Sequence, residues 1–400
     1  MNANIDRLYR LSQKEERLII GLMSGTSLDG LDVALCSCSG SGFSTAVKII
    51  HFDTISYDAD FKAEIRSVFS KREADLEKLC LLNGWIAERH AKMINSCLEK
   101  WQVDASAVDL IASHGQTVYH APKALHGHGK FSNGTLQIGD GDHLSVKTGI
   151  ITISDFRQKH IAAGGQGAPL AVYGDFLLFS KPGENRIMLN IGGIANFTYL
   201  PGDRDASKVF CSDTGTGNTL MDAYIQANFP GKYFDENSAI AAEGTTNEAL
   251  LEKLKADPFF QLPFPKTTGP ELFNMQYLEY ARDSAGTGFL SHADMMATLN
   301  RFTADTVSDA IKQCCQELTN VVIYSSGGGM HNPLLMKNIQ RQLPGYQFET
   351  TKDLGIEPDA KEAVLFAILA NECVAGGDVR TGNGTSGVPF VSMGKISFPV

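Results

Sequence analysis

The chain has 400 residues, a length that favours two domains, and its 43% hydrophobic and 20% charged residues exclude collagen-like, coiled-coil and disordered classes. Its 35 basic and 45 acidic residues give a net charge of −10, which disfavours nucleic acid as the main partner. The one excess is glycine: 39 residues, about one in ten against a usual ~7%, with many of them clustered beside apolar runs.

The N-terminal segment gives no sign of export. Residues 1–17 are charged and lack the apolar stretch of a secretion signal, and no apolar run approaches the ~18 residues of a membrane-spanning helix. The eight cysteines form no paired CxxC motifs, which argues against zinc. We therefore expect a cytoplasmic protein with reduced thiols and no membrane partner.

Two strand-turn-strand patterns stand out along the chain. Residues 17–23 (RLIIGLM) predict a buried strand that turns through SGTSLDG into LDVALC. Residues 186–191 (RIMLNI) begin the same plan, followed by GGIAN and FTYL. The similarity between the two stretches is short. It is explained equally well by a structural duplication of the lobe and by chance.

Helices and short strands alternate around these patterns. Apolar spacing of three to four residues predicts a helix from Leu79 to Trp101, and short strands at 110–112 and 150–153 end in polar residues. The later elements are a helix over 299–318, a strand over 321–324, a helix that begins at Asn332-Pro333, and a helix from Lys361 to Val374. This alternation predicts an α/β fold. The segment from Gly376 to Gly387 is predicted to be a loop.

The common nucleotide motifs are absent. Gly129-Lys130 lacks the other residues of a P-loop, and neither GxGxxG after a strand nor GxSxG occurs. What remains is three glycine clusters after apolar strands: residues 25–30, Gly192-Gly193 with residues 213–218, and residues 327–329. Any one cluster is explained by a tight turn, whereas three clusters accompanied by Ser, Thr or Asp favour phosphate binding by backbone amides.

Hydroxyls and carboxylates in these clusters suit a nucleotide with its metal ion. Thr26 and Ser27 would add donors to the phosphates. Asp29, Asp32 and Asp213 could hold the waters of a magnesium ion that keeps most of its hydration shell. The sequence does not decide whether any carboxylate contacts the ion directly.

The clusters resemble those of the sugar kinase, heat-shock chaperone and actin superfamily. More closely, the chain resembles the 1,6-anhydro-N-acetylmuramic acid kinase family through GLMSGTSLDGLDVAL, SHGQTVYH, LQIGD, DFRQKHIAAGGQGAPL, LNIGGIANFT, DTGTGNTLMDAY, SGGGMHNPLLM and KEAVLFAILA. These eight motifs run in order from residue 21 to residue 370. The resemblance implies two actin-like (ribonuclease H-like) lobes with an ATP cleft between them, one lobe at residues 1–130 plus about 365–400 and the other at 131–364.

The resemblance also implies the reaction and the nucleotide contacts. The family uses ATP and Mg²⁺ to hydrolyse the 1,6-anhydro ring and phosphorylate O6, giving N-acetylmuramate 6-phosphate in peptidoglycan recycling. The implied ATP-binding residues are Gly25, Thr26, Ser27, Leu28, Asp29, Gly30, Leu31 and Asp32 in a first phosphate hairpin, Gly192, Gly193, Asp213, Gly215, Gly217 and Asn218 in a second phosphate region, and Gly327, Gly328 and Gly329 in an adenosine segment.

By the same resemblance, Asp155 of the DFR motif would be the catalytic base. O6 becomes a phosphoryl acceptor only as the C1–O6 bond opens, and a carboxylate near C1 can take the proton of the attacking water. Arg157 would keep this carboxylate ionised or offset charge on the γ-phosphate. The alternative is a purely structural Asp-Arg pair.

Further residues are candidates for binding the anhydro amino sugar. His114 and Gln116 follow a predicted strand and could bond the sugar, or simply cap a turn. Gly165 and Gln166 could bring backbone close to the substrate, and Glu362 could point toward a hydroxyl.

Two other functions stay open at this stage. One is phosphorylation of a different small molecule by a kinase of the same superfamily, and the other is ATP-gated binding without phosphoryl transfer. The DFR and GGQGAP segments favour a kinase, because neither has a purpose in a chaperone. A homodimer is a common state for such enzymes.

Overall fold

The computed structural model describes residues 2–26, 28–376 and 388–400. The chain divides into two compact units, the first formed by Met1–Phe179 with Gly355–Val400 and the second by Ser180–Leu354. Each unit contains one β-sheet with helices packed against it. Most of the predicted loop at 376–387 lies outside the described residues.

The strands of the described residues form two sheets. In chain order they are β1 Glu16–Ser24, β2 Gly30–Ser39, β3 Ala46–Ser56, β4 Leu110–Ala121, β5 Gly134–Ile138, β6 Ile151–Ser154, β7 Asn185–Ile191, β8 Ile194–Leu200, β9 Phe210–Thr216, β10 Val321–Ser326, β11 Gln347–Thr350 and β12 Lys395–Ser397.

The α-helices of the same residues alternate with the strands. They are α1 Ala3–Ser12, α2 Ala59–Arg66, α3 Leu76–Trp101, α4 Lys123–His126, α5 Gly141–Thr148, α6 Phe156–Ala162, α7 Ala171–Phe179, α8 Thr219–Asn228, α9 Glu248–Lys255, α10 Met275–Ala285, α11 His292–Cys314, α12 Pro333–Gln342 and α13 Lys361–Ala375. None of these helices combines the length and the apolar character needed to cross a bilayer.

Both sheets follow one plan. The first has the order β12-β6-β4-β1-β2-β3, with β5 antiparallel to β4, and the second has the order β11-β10-β7-β8-β9. In each, three consecutive antiparallel strands are followed by two strands parallel to the first of the three. In the first sheet, β12 then pairs antiparallel with β6. This is the ribonuclease H-like plan, so the predicted α/β fold class is confirmed and the two strand-turn-strand patterns occupy equivalent places.

The boundaries of the units differ from those predicted for the lobes. Residues 131–179 belong to the first unit because β6 pairs in parallel with β4. Residues 355–364 belong there as well, because they lead into α13, which packs on β1 and β2. Asp155 therefore lies in the first unit, not in the second.

Strand β4 is longer than the predicted strand over 110–112. It continues to Ala121, so the SHGQT motif lies within the strand and not after its end. Its pairing with β1 shifts register between Leu22 and Ser24, and Gly115 has a φ of +73° that favours glycine. The polar motif thus occupies an irregular part of a buried strand.

Helix α13 is the central packing element of the first unit. Residues 363–371 are all buried, as expected for a helix with apolar residues on more than one side. It lies so close to β1 that a Cβ atom on Gly21 would overlap the carbonyl oxygen of Ala363. Glycine at position 21 therefore sets the distance between the helix and the sheet.

We expect Gly21→Ala to lower the free energy of unfolding by about 1–3 kcal/mol or more, because the new methyl group forces α13 away from β1. Gly129→Ala is the matched control, since nothing lies within 4 Å of a Cβ at that position. Urea denaturation of both variants measures the difference. Equal stability of the two variants would contradict the close packing.

Candidate active site

The turn between β1 and β2 has an anchored backbone and exposed polar side chains. Leu28 has a left-handed φ of 59° with its side chain buried, and its N–H donates to Gly25 O at 3.4 Å. The N–H of Tyr57 donates to Asp29 O at 3.1 Å. Thr26 and the Asp29 side chain face solvent. Of the predicted contacts in this turn, Ser27 lies outside the described residues.

The residues after the turn belong to β2. A Cβ on Gly30 would lie 2.5 Å from Ile55 O, so only glycine fits there, and the side chain of Leu31 is buried in the core. Asp32 accepts a hydrogen bond from Thr54 Oγ1 at 2.5 Å. Burial raises the pKa of Asp32 and the Thr54 hydroxyl lowers it in part, while Asp359 and Asp29 raise it further.

The acidic residues around Asp32 show whether this turn suits a magnesium ion. Crowding of like charges near Asp32 is relieved by a cation, which fits the prediction that carboxylates of this turn hold the waters of Mg²⁺. Direct coordination of the ion by protein side chains needs several ligands at one place. Within the described ranges no group of three or more His, Cys, Asp or Glu side chains is arranged to hold a metal.

In the second unit, the turn between β7 and β8 contacts the segment between β9 and α8. The N–H of Gly217 donates to Gly193 O at 2.7 Å, and the N–H of Asn218 donates to Gly192 O at 2.9 Å. A Cβ on Gly217 would overlap Gly192 O. Helix α8 begins at this junction, which places the positive end of its dipole beside the two turns.

The third glycine cluster joins the same place. Gly327 has a φ of +83°, and a Cβ there would lie 2.6 Å from Asn190 Oδ1. A Cβ on Gly329 would overlap the side chain of Ile191, and one on Gly328 would lie 3.8 Å from Asn218 Nδ2. The second unit therefore brings together three segments, of which the third lies more than 100 residues from the other two in the sequence.

Asp213 and Gly215 lie on β9 and not in the loop after it. Gly215 has a φ of +139°, and Asp213 is half-buried and accepts a hydrogen bond from the Thr268 N–H at 2.8 Å. Burial raises the pKa of Asp213 to about 6, against the effect of that hydrogen bond and with a further contribution from Glu271. Asp213 can thus exchange a proton near neutral pH.

A cavity of about 360 Å³ in the first unit contains Asp155. Asp155 precedes α6 with a left-handed φ of 56°, and its Oδ2 lies 2.9 Å from Nζ of Lys395. The cavity is also lined by His114, Asn83 and Gln158. Lys395 lies on β12, 240 residues from Asp155, and no local motif of the sequence marks it as part of this cavity.

Arg157 is held in one orientation by two acceptors. Its Nε donates to His114 Nε2 at 2.8 Å, and its Nη1 donates to Gly167 O at 2.7 Å. Burial, together with the Arg157 charge, lowers the pKa of His114 well below its usual range, so the ring is neutral and can accept. Burial lowers the pKa of Arg157 only to about 10, so the guanidinium stays charged.

The other residues predicted to contact the sugar lie in different environments. Gln116 is fully buried and bonds to groups of its own unit, while Gln166 is exposed. Gly165 packs against the His160 ring, with no room for a Cβ. Glu362 is accessible in the first turn of α13, yet partial loss of hydration raises the pKa of its carboxyl, which the Arg157 charge lowers in part.

A ribonuclease H-like sheet that occurs twice, with glycine turns at the strand ends, defines the sugar kinase, heat-shock chaperone and actin class of folds. Within this class, residues 17–398 match the family model described as "Anhydro-N-acetylmuramic acid kinase". The chain belongs to this family.

Curated relatives of that name cover the chain from end to end. The relative from Pseudoalteromonas atlantica is 56% identical over 400 residues, with 100% of both chains covered. The relative from Caldanaerobacter subterraneus subsp. tengcongensis is 38% identical, with 98% of this chain and 100% of the relative covered. Among solved structures, the chain is similar to a hexokinase from Schistosoma mansoni with glucose, at 11% identity, 90% and 86% coverage and a TM-score of 0.37.

We expect Gly217→Ala to weaken ATP binding by about tenfold or more, because the added methyl group separates the turn at Gly192 from the start of α8 and misaligns their amides. Gly288→Ala, in an open loop of the same unit, is the control. Isothermal titration calorimetry gives the affinities and circular dichroism checks the folding. Unchanged affinity in a folded Gly217→Ala protein would exclude these turns from nucleotide binding.

Proposed function

We propose that this protein is an ATP- and magnesium-dependent kinase that opens the 1,6-anhydro ring of anhydro-N-acetylmuramic acid and phosphorylates O6. The observation that carries the proposal is the match of residues 17–398 to the family of that name, together with full-length relatives at 38–56% identity. The product, N-acetylmuramate 6-phosphate, would enter peptidoglycan recycling in the cytoplasm. The homodimer stays a prediction.

The glycine turns supply the nucleotide-binding amides in this proposal. The two glycine clusters of the second unit converge at the start of α8. The N–H groups of Gly217 and Asn218 donate to the carbonyls of Gly193 and Gly192, so the amides that we propose to face phosphate oxygens are those of Gly192, Gly193 and residues 327–329. The turn at residues 25–29 of the first unit would contribute exposed donors such as Thr26. Mg²⁺, when bound, offsets the negative charge of the phosphates, and Asp29, Asp32 and Asp213 are the carboxylates that would hold its waters.

The reaction needs one water and one phosphoryl group. Water attacks C1, the C1–O6 bond breaks, and O6 takes the γ-phosphoryl group of ATP while ADP leaves. A carboxylate removes a proton from the water, and a cation near the phosphates stabilises the charge that develops there. The hydrolysis and the transfer are thus steps of one reaction, because the bond that breaks creates the acceptor.

Asp155 is the base that we propose, since it lines a cavity together with His114 and lies two residues from Arg157. Arg157 would offset negative charge on the γ-phosphate. Neutral His114 accepts a hydrogen bond from Arg157, so its role in this proposal is to position Arg157 and not to contact the sugar. Asp213 is the second candidate for the base, because a carboxyl with a pKa of about 6 accepts protons efficiently at neutral pH.

The direct test of the function supplies the purified protein with ATP, Mg²⁺ and the anhydro sugar in ¹⁸O-labelled water. We expect a sugar phosphate that carries one ¹⁸O atom at C1 and none in the phosphoryl group, as measured by mass spectrometry. N-acetylmuramic acid itself is the control substrate. It has no anhydro ring to open, so its phosphorylation consumes no water. Absence of a phosphorylated product from the anhydro sugar would contradict the proposal.

Two matched variants assign the base. We expect Asp155→Asn to bind ATP normally and to lose turnover by orders of magnitude. We expect Asp213→Asn to recover part of its activity as Mg²⁺ is increased, because its proposed contribution is to hold the waters of the ion.

The pH profile decides between the two carboxylates. If Asp213 is the base, added Mg²⁺ will not restore the Asp213→Asn variant. In that case wild-type kcat/KM will also fall tenfold per pH unit below about 6, since the protonated carboxyl accepts no proton. Normal turnover in Asp155→Asn would exclude Asp155.

A further inference from the structure

Four buried polar side chains form a continuous series of hydrogen bonds in the first unit. His90 Nε2 lies 3.0 Å from Tyr57 OH, Tyr57 OH lies 2.6 Å from Ser24 Oγ, and Ser24 Oγ lies 2.5 Å from Gln116 Oε1. None of the four residues is more than 4% exposed. Together they connect the middle of α3 with the end of β1.

The amide of Gln116 determines the direction of this series. Its Nε2 lies 3.4 Å from Gly25 O and 3.3 Å from Thr117 O, and both carbonyl oxygens only accept. The opposite orientation of the amide would place Oε1 against the same two oxygens without a proton between them. Oε1 therefore faces Ser24, and the Ser24 hydroxyl must donate to it.

The donors in the other two hydrogen bonds follow because each hydroxyl group has a single hydrogen. Ser24 has a single hydroxyl hydrogen, which is used on Gln116, so Tyr57 must donate to Ser24. Tyr57 has then used its own hydrogen and must accept from His90, which requires the neutral tautomer with a proton on Nε2. Burial lowers the pKa of His90 to about 3 and raises the pKa of Tyr57, so neither group ionises near neutral pH.

We propose that His90, Tyr57, Ser24 and Gln116 form a positioning chain with one fixed direction, which holds Gly25, at the start of the turn between β1 and β2, in the conformation that binds the phosphates of ATP. Ser24 is the residue directly before Gly25, and Gln116 contacts the Gly25 carbonyl. The proposal rests on the proposed function, because it assumes that this turn contacts nucleotide.

The positioning chain has no hydrogen-bond donor available for a ligand, so it can affect ATP binding only by holding the turn in place. Every hydrogen of the two hydroxyls and of the Gln116 amide is used inside the unit, so none is left for substrate. Tyr57 also stacks on Phe61 with ring centroids 3.9 Å apart, so a phenylalanine at position 57 retains the packing and loses only the hydroxyl.

The direction of the chain is tested in the wild-type protein by ¹⁵N NMR with labelled histidine. We expect His90 to show a protonated Nε2 and an unprotonated Nδ1 from pH 6 to pH 8, with no titration. We expect Tyr57→Phe to shift the Nε2–H resonance, because that proton loses its acceptor. A proton on Nδ1, or a charged ring in that range, would overturn the assigned direction.

The positioning role is tested by steady-state kinetics of Tyr57→Phe. We expect KM for ATP to rise about fivefold, the size of one net buried hydrogen bond, while KM for the anhydro sugar stays within twofold. Tyr199→Phe is the control: it removes the hydroxyl of a buried tyrosine that donates to Asn185 Oδ1 at 3.0 Å. Asn185 is the first residue of β7, so this bond lies at the far end of the strand from Gly192.

The outcomes separate this inference from the proposed function. If KM for ATP is unchanged, or if both KM values rise together, the chain does not position the turn. If Tyr57→Phe does not fold, Ser24→Ala replaces it with the same expectation for ATP. If the wild-type protein has no kinase activity, the proposed function fails, whereas the NMR result still decides whether the chain has its assigned direction.

Discussion

The candidate site depends on close contacts at glycine positions, which have no β-carbon. Gly217 lies against Gly192 O, and Gly327 and Gly329 lie against Asn190 and Ile191, all with no room for a side chain. Because of these contacts, the end of β7, the start of α8 and the end of β10 occupy one place. Without them, the three segments would not meet at one place.

Buried and exposed polar groups of the first unit have different roles. Gln116 and His114, both buried, bond to other protein groups and set the positions of Gly25 and Arg157. Thr26 is exposed, and Asp155 lines a cavity, where its carboxylate pairs with Lys395. This division follows from the cost of a buried polar group without a partner, which favours hydrogen bonds within the unit for buried side chains.

Local sequence patterns predicted the elements better than the roles of single residues. The hairpins at β1–β2 and β7–β8, the long helix α3 and the Asn332-Pro333 helix start all follow from apolar spacing and capping, which are local properties. The pairing of β6 with β4 is not local, which is why the lobe boundary predicted at residue 130 differs from the boundary of the compact units at Phe179. The ion pair of Asp155 with Lys395 and the burial of Gln116 likewise depend on how distant segments fold together.

The central claim is that ring opening and phosphoryl transfer are a single reaction, because O6 exists as an acceptor only when the C1–O6 bond breaks. It is tested most directly by counting, in one reaction mixture, the ADP formed and the anhydro rings opened. We predict a ratio of one at all times, with neither product formed when ATP or the sugar is omitted. Rings opened without ATP, or a steady excess of opened and unphosphorylated sugar over ADP, would contradict the account.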